Sequence, residues 1–249
     1  MIVLKTANEI ALMREAGRIA AQALMAGVAA VRPGKTTMDI NRVVEEAITS
    51  RGAKPSFKGY GGFPAAACIS VNQQIIHGIP SGKVKIREGD IVSIDVGAFY
   101  KGYHGDTAFT VGAGVCSPEA EQLMAVTQKC LEIGIAAALP GNRLGDVGSA
   151  VQAYAESFGY GVVREYTGHG VGRNLHEDPS VPNYGEAGKG RRLLPGMTIA
   201  IEPMINLKGA GIRQLSDGWT VETASGLPAA HFEHTVAITD NGPVILTKP

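Results

Sequence analysis

The chain repeats itself, and the repeat constrains its fold more than any other feature. Pro33-Gly34, Asp39-Ile40 and Gly52 reappear as Pro140-Gly141, Asp146-Val147 and Gly159, each 107 residues farther on. The same offset relates Gly89-Asp90-Ile91-Val92-Ser93-Ile94-Asp95 to Gly196-Met197-Thr198-Ile199-Ala200-Ile201-Glu202, so both copies end in a carboxylate. His77-Gly78-Ile79-Pro80 matches His176-Glu177-Asp178-Pro179 at an offset of 99, and Asp106 to Thr110 resembles Glu233 to Ala237 at 127. Four coincidences in one order indicate a duplicated unit, with halves of roughly 1–112 and 113–249.

Each half opens with helix signals. Thr6 followed by Glu9 forms a capping box, and Ile10, Met13, Ala20 and Leu24 recur at helical spacing, predicting a helix over Ala7 to Ala30. A second helix follows Thr36, with Ile40, Val43, Val44 and Ala47 on its apolar face and Arg42, Glu45 and Glu46 opposite. Ser117-Pro118 opens the first helix of the other half, with Leu123, Val126, Cys130, Ile133 and Ala137 as its stripe. Ile91 to Phe99 and Phe109 to Val111 read as strands joined through Tyr100 to Gly105. The class is α+β: an antiparallel sheet covered by four helices, with pseudo-two-fold symmetry. No linker rich in Pro, Ser or charge divides it, so residues 1–249 are expected to form a single domain.

Composition narrows the partners. Lys+Arg and Asp+Glu number 23 each, and the formal net charge is zero. Without a clustered positive run the chain offers no footprint for nucleic acid or a membrane surface, and Lys189, Arg191 and Arg192 read as a solvated loop. The charge-free stretch Gly59 to Gly82 is broken by Pro64, Asn72, Gln73, Gln74, His77 and Pro80, which argues against a membrane span. Charges at Lys5, Glu9, Arg14, Glu15 and Arg18 interrupt any apolar core of a signal peptide, so a soluble cytoplasmic protein is expected. Cys68, Cys116 and Cys130 form no Cys-x-x-Cys pair, so neither a disulfide framework nor a thiolate zinc site is indicated.

The duplication brings Asp95 and Asp106 of one half toward Glu202 and Glu233 of the other. Any one of these acids could cap a turn or face solvent. Yet Asp95 follows Ile91, Val92 and Ile94, and Glu202 follows Ile199, Ala200 and Ile201, which argues against an open surface. Converging carboxylates raise one another's pKa unless positive charge compensates, and divalent metal supplies it. His169, flanked by Gly168 and Gly170, is the fifth candidate ligand. The set is too oxygen-rich for a structural zinc site, whereas two ions sharing carboxylates fit it, and such a pair activates water for hydrolysis. Donor type confines the ions only to hard or borderline divalent metals, and sequence does not choose among Co, Mn, Fe or Zn. His77 and His176, equivalent in the repeat, are candidates to hydrogen-bond a substrate, the alternative being turn residues before Pro80 and Pro179. His104, His231 and His234 are expected behind the ligands or in loops.

These residues stand in five motifs: CISVNQQIIHGIP from Cys68, IVSIDVGAFYKGYHGDTAFTVG from Ile91, TGHGVGRNLHEDP from Thr167, MTIAIEPMI from Met197 and FEHTVAIT from Phe232. In them the chain resembles the type I methionine aminopeptidases, which share the pita-bread fold. The resemblance implies that Asp95, Asp106, His169, Glu202 and Glu233 bind two divalent metals. It further implies that His77 and His176 are catalytic hydrogen-bonding residues and that Glu202 moves the proton of the attacking water. Tyr60, Phe63, Cys68 and Trp219 would line the pocket for a methionine side chain. Leu175 stands where relatives often carry an aromatic, and Phe63 where many have tyrosine. Only 26 positions separate His176 from Glu202, which leaves no room for the insertion of type II relatives and implies the short bacterial form.

The implied reaction is removal of the initiator methionine from nascent polypeptides with a small second residue. Nascent N-termini would be the partners, with transient ribosome association and a monomeric state. The rival readings are a proline-specific peptidase of the same fold and a non-catalytic binding module.

Overall fold

A computed structural model describes residues 1–249. The first half contains helices α1 (Ala7–Ala30) and α2 (Thr37–Thr49), then strands β1 (Lys54–Pro55), β2 (Ala67–Val71), β3 (Gln74–Ile76), β4 (Ile91–Tyr100) and β5 (Tyr103–Gly112). The second half opens with α3 (Pro118–Ala137) and α4 (Leu144–Ser157). Strands β6 (Gly161–Val162), β7 (Gly168–Gly170), β8 (Glu177–Val181), β9 (Thr198–Ile201) and β10 (Met204–Asn206) follow. The chain finishes with β11 (Ile212–Gln214), β12 (Val221–Thr223), β13 (Ala229–His231), β14 (Glu233–Thr239) and β15 (Gly242–Ile245).

The helices begin where their caps put them. Thr6 and Glu9 close a reciprocal capping box on α1, and Thr36 and Asp39 do the same on α2, so two otherwise unpaired amide donors are satisfied at each start. Ser117 caps α3 through the amide of Ala120, with Pro118 in the first turn. Ala30 and Ala137, which end α1 and α3, keep the 107-residue offset, as do Thr37 and Leu144, which open α2 and α4.

Nine strands form the main sheet in the order β1-β4-β5-β14-β9-β7-β8, with β2 added to β4 and β15 to β14. Its four central strands, β4-β5-β14-β9, read as a mirror pair, two from each half. Small three-stranded sheets, β13-β10-β6 and β11-β12-β3, fill out the opposite side. Each half has its own core: Ile19, Ile40 and Val44 pack on Val92, Ile94 and Val96, while Leu123, Val126 and Val151 pack with Ile199, Ile201 and Val236. Phe109 joins both clusters and meets Phe232 edge-on at 4.9 Å. No helix is long and apolar enough to cross a membrane.

Helix α1 crosses β5 with almost no clearance. A Cβ at Gly105 would lie 2.4 Å from Gly17 Cα, and one at Gly17 would lie 2.5 Å from the Leu246 carbonyl oxygen. Gly105→Ala is therefore expected to cost about 1–3 kcal/mol by overpacking. A urea-unfolding midpoint equal to wild type would show that the helix can move aside.

Two details depart from the sequence expectations. The central hairpin is longer: β4 runs to Tyr100 and β5 starts at Tyr103, the chain turning on Lys101 and Gly102 at φ 48° and 87°. Both values suit the left-handed two-residue turn that matches strand twist. Val43 is exposed rather than part of the buried face of α2, which consists of Ile40, Val44 and Ile48.

Candidate metal and peptide site

Register alone aligns the acids. In β4 and β5, Asp95 pairs with Ala108 and Gly97 with Asp106, so the two aspartates sit diagonally on one face of the hairpin. Across the next ladder Glu233 also pairs with Ala108, and His234 pairs with Ile201, which brings Glu202 to the next position beside Glu233. The Thr107 hydroxyl donates to the Glu233 carbonyl at 2.8 Å, and the Asp106 amide donates to Thr235 Oγ1 at 3.0 Å. These bonds lock the seam between the halves, where the acids meet.

The acids are buried together without enough hydrogen-bond donors. Asp95 Oδ1, Asp106 Oδ1 and Glu233 Oε1 are enclosed and have no partner. Burial pushes the carboxyls of Asp95, Glu202 and Glu233 well above the ordinary range, and their neighbouring carboxylates push the same way. Asp106 is raised to about 7 by burial, although its hydrogen bonds oppose that.

His169 settles what the cluster lacks. Its Nδ1 faces the Gly170 carbonyl at 2.9 Å, and because a carbonyl only accepts, that nitrogen carries the proton. Burial holds the ring pKa down to about 3, so the imidazole is neutral and Nε2 is a bare lone pair. That lone pair points at Glu202 Oε1, 3.5 Å away, and Asp106 Oδ2, 3.9 Å away. Oxygen and nitrogen acceptors facing one another inside a protein need either retained protons or a cation between them, and this arrangement could hold a metal ion. Ligand atoms of Asp106, His169 and Glu233 all lie within 4.8 Å of one another. The donor set fits divalent metal, with oxygen and imidazole ligands and no thiolate.

A cavity of about 480 Å³ opens from these acids and is lined by every predicted site residue: Asp95, Asp106, His169, Glu202, Glu233, His77, His176, Tyr60, Phe63, Cys68 and Trp219. The His176 ring lies 4.2 Å from that of His169, and its Nδ1 meets the Tyr60 hydroxyl at 2.7 Å. His77, held at φ 59° in a region few side chains adopt, packs edge-on to Tyr166 and Trp219. Burial lowers its pKa to about 4, so it too is neutral.

Phe57, Phe63, Ala65, Cys68 and Leu175 form one buried cluster, with Trp219 against its side. Leu175 thus supplies an aliphatic wall to the slot, and the ring of Phe63 meets that of Trp219 edge-on at 5.2 Å.

Of the three weaker histidines, His231 stands behind the acids, its Nε2 3.7 Å from Glu202 Oε2. His104 bonds Ser56, and His234 bonds Thr247 on the far side of the sheet. All three are on strands rather than loops. Phe57, Ile76 and Tyr166 also line the cavity and were not foreseen. Nothing in their local sequence separates them from core residues.

Residues 11–240 match the model of metallopeptidase family M24. The chain belongs to that family. It is 52% identical to a methionine aminopeptidase of Clostridium perfringens over 99% of both chains. The crystal structure of methionine aminopeptidase from Thermotoga maritima superposes with a TM-score of 0.98 at 47% identity, covering 100% of both chains. The prolidase of Pyrococcus horikoshii superposes at 0.79 and 29% identity, but this chain spans only 64% of it. The fold of this M24 member is therefore the pita-bread fold, and use of divalent metal comes with the family.

Proposed function

We infer that the protein is a methionine aminopeptidase, which removes the N-terminal methionine from polypeptides whose second residue is small. The observation that carries this reading is a set of buried acceptors around His169 Nε2 in one cavity with the apolar cluster of Phe63, Cys68 and Leu175. Similarity to a methionine aminopeptidase at 52% identity over 99% of both chains supports it, against 29% identity to the prolidase.

Asp95, Asp106, His169, Glu202 and Glu233 would hold two divalent ions. Bound ions supply Lewis acidity, which polarises a peptide carbonyl and eases deprotonation of water. The chain's own residues do the rest. Phe63, Cys68, Leu175 and Trp219 receive the methionine side chain, whose sulfur gains from aromatic edges. His77 and His176, both neutral, offer N–H groups to the scissile carbonyl and amide nitrogen and stabilise charge that develops there. Glu202 Oε1 or Oε2 accepts the proton of the attacking water and passes it to the leaving amine.

The test is metal-dependent release of methionine from a Met-Ala-Ser peptide, with elemental analysis of the purified protein. Preference for Xaa-Pro peptides would replace this reading with a proline-specific one. Inactivity under every one of Mn, Fe(II) and Co would favour a binding module.

Phe63→Ala should open the slot and lower kcat/KM for Met-Ala-Ser by about 10–100-fold. Cleavage of the corresponding Ala-Ala-Ser peptide, which does not fill the slot, should change little. Equal losses on both peptides would remove Phe63 from the pocket.

A further inference from the structure

The peptidase chemistry leaves one buried ion pair unused. Lys5 Nζ lies 2.5 Å from Glu177 Oε2, and the two side chains are only 4% and 11% exposed. The second carboxylate oxygen of Glu177 accepts the Asn174 amide at 3.1 Å. Lys5 is itself anchored: its amide donates to the Gly196 carbonyl at 2.7 Å, and its ammonium donates to the Val3 carbonyl at 3.1 Å. The pair packs closely over Gly172, where a Cβ would lie 2.5 and 2.7 Å from the carboxylate oxygens and 2.7 Å from Lys5 Cε and so push the two side-chain ends aside.

Desolvated ion pairs are poor sources of stability, because well-packed apolar residues hold a fold equally well. What such a pair does well is fix a position. Glu177 directly follows His176 in the chain and pairs with Gly170, the residue after His169. His169 is independently secured, on a strand paired on both sides and through its bond to the Gly170 carbonyl. His176 precedes β8, and its ring has one hydrogen bond, to Tyr60 beside the left-handed glycines Gly59, Gly61 and Gly62.

We propose that Lys5 is a positioning residue for the peptidase reaction: its ion pair with Glu177 pins the backbone that aims His176 at the substrate. The proposal rests on His176 hydrogen-bonding the substrate, as inferred above. Displacing such a group by a fraction of its hydrogen-bond length is costly to rate even when the perturbation is remote.

The experiment compares manganese-loaded wild type, H176A, K5M/E177Q and K5M/E177Q/H176A on Met-Ala-Ser. The double variant removes both charges and leaves neither buried alone, while Gln at 177 still accepts the Asn174 amide. We expect kcat to fall about 10–100-fold, with KM, bound manganese and melting temperature close to wild type. In the H176A background the same two substitutions should change kcat less than about twofold, because the group they serve is gone. K5Q/E177Q, which likewise leaves neither charge buried alone, should reproduce the pattern and stands in if K5M/E177Q does not fold. Equal losses in both backgrounds, unchanged kcat with His176 present, or loss of bound manganese would overturn the proposal. An H176A rate equal to wild type would instead remove the premise about His176, and the proposal with it.

Discussion

His169→Ala should reduce methionine release by about 10³-fold while circular dichroism and the melting temperature of the metal-free protein stay near wild type. The ring contributes little to the core: it is partly exposed to the cavity, and its one hydrogen bond goes to the next residue's carbonyl. What it contributes is Nε2, aimed at Asp106 and Glu202. Loss of a single neutral ligand removes several kcal/mol of charge stabilisation, hence the size of the effect. Isothermal titration with Mn should show weakened binding in the same variant. Wild-type turnover in His169→Ala would mean that the lone pair faces the acids for no catalytic purpose.

Chelation should make stability depend on pH in a direction opposite to that of ordinary acid denaturation. Asp95, Glu202 and Glu233 have carboxyls raised well above their unfolded values by burial, so without metal the native state binds more protons than the unfolded state once pH exceeds about 4. By linkage, unfolding free energy then falls as pH rises. Below about pH 7.5 the histidines act the other way: burial lowers His169 and His231 to about 3, His77, His104 and His234 to about 4, and His176 as well, so the unfolded chain takes up their protons first. Above about pH 7.5, one unit past the unfolded histidine pKa, the histidines are neutral in both states and the carboxyls act alone. In EDTA, stability should therefore drop between about pH 7.5 and 8.5, by about 1.4 kcal/mol per pH unit for each carboxyl that stays protonated. Saturating manganese should abolish the slope, because the cation takes over the role of the protons. Differential scanning calorimetry at the two pH values decides it: equal melting temperatures in EDTA would mean that the acids ionise without help.

Much of this could be read from residues alone because the decisive signals are local or repeated. The capping box at Thr6 is contained within four residues, and α1 starts where that box puts it. The acids were legible through duplication, since a carboxylate closing an apolar run in both halves implies one face of one sheet. The hairpin turn was less legible because lysine at 101 gives no sign of its left-handed backbone, and Tyr103 to Ala108 alternates too weakly to mark a strand. Phe57, Ile76 and Tyr166 were invisible for a different reason: they line the cavity only because the segment after β1, β3 and the segment before β7 converge on it, and such convergence leaves no local pattern.

The mirror order of the central strands bears on ancestry. A protein of half this length would have owned two acids and half a sheet, so it could enclose a cation only by meeting a twin across a dimer axis, in a cage with identical sides. Gene fusion released the sides from identity. Aspartates now occupy one side, and glutamates with an imidazole the other, so the two sides of the cage are no longer interchangeable.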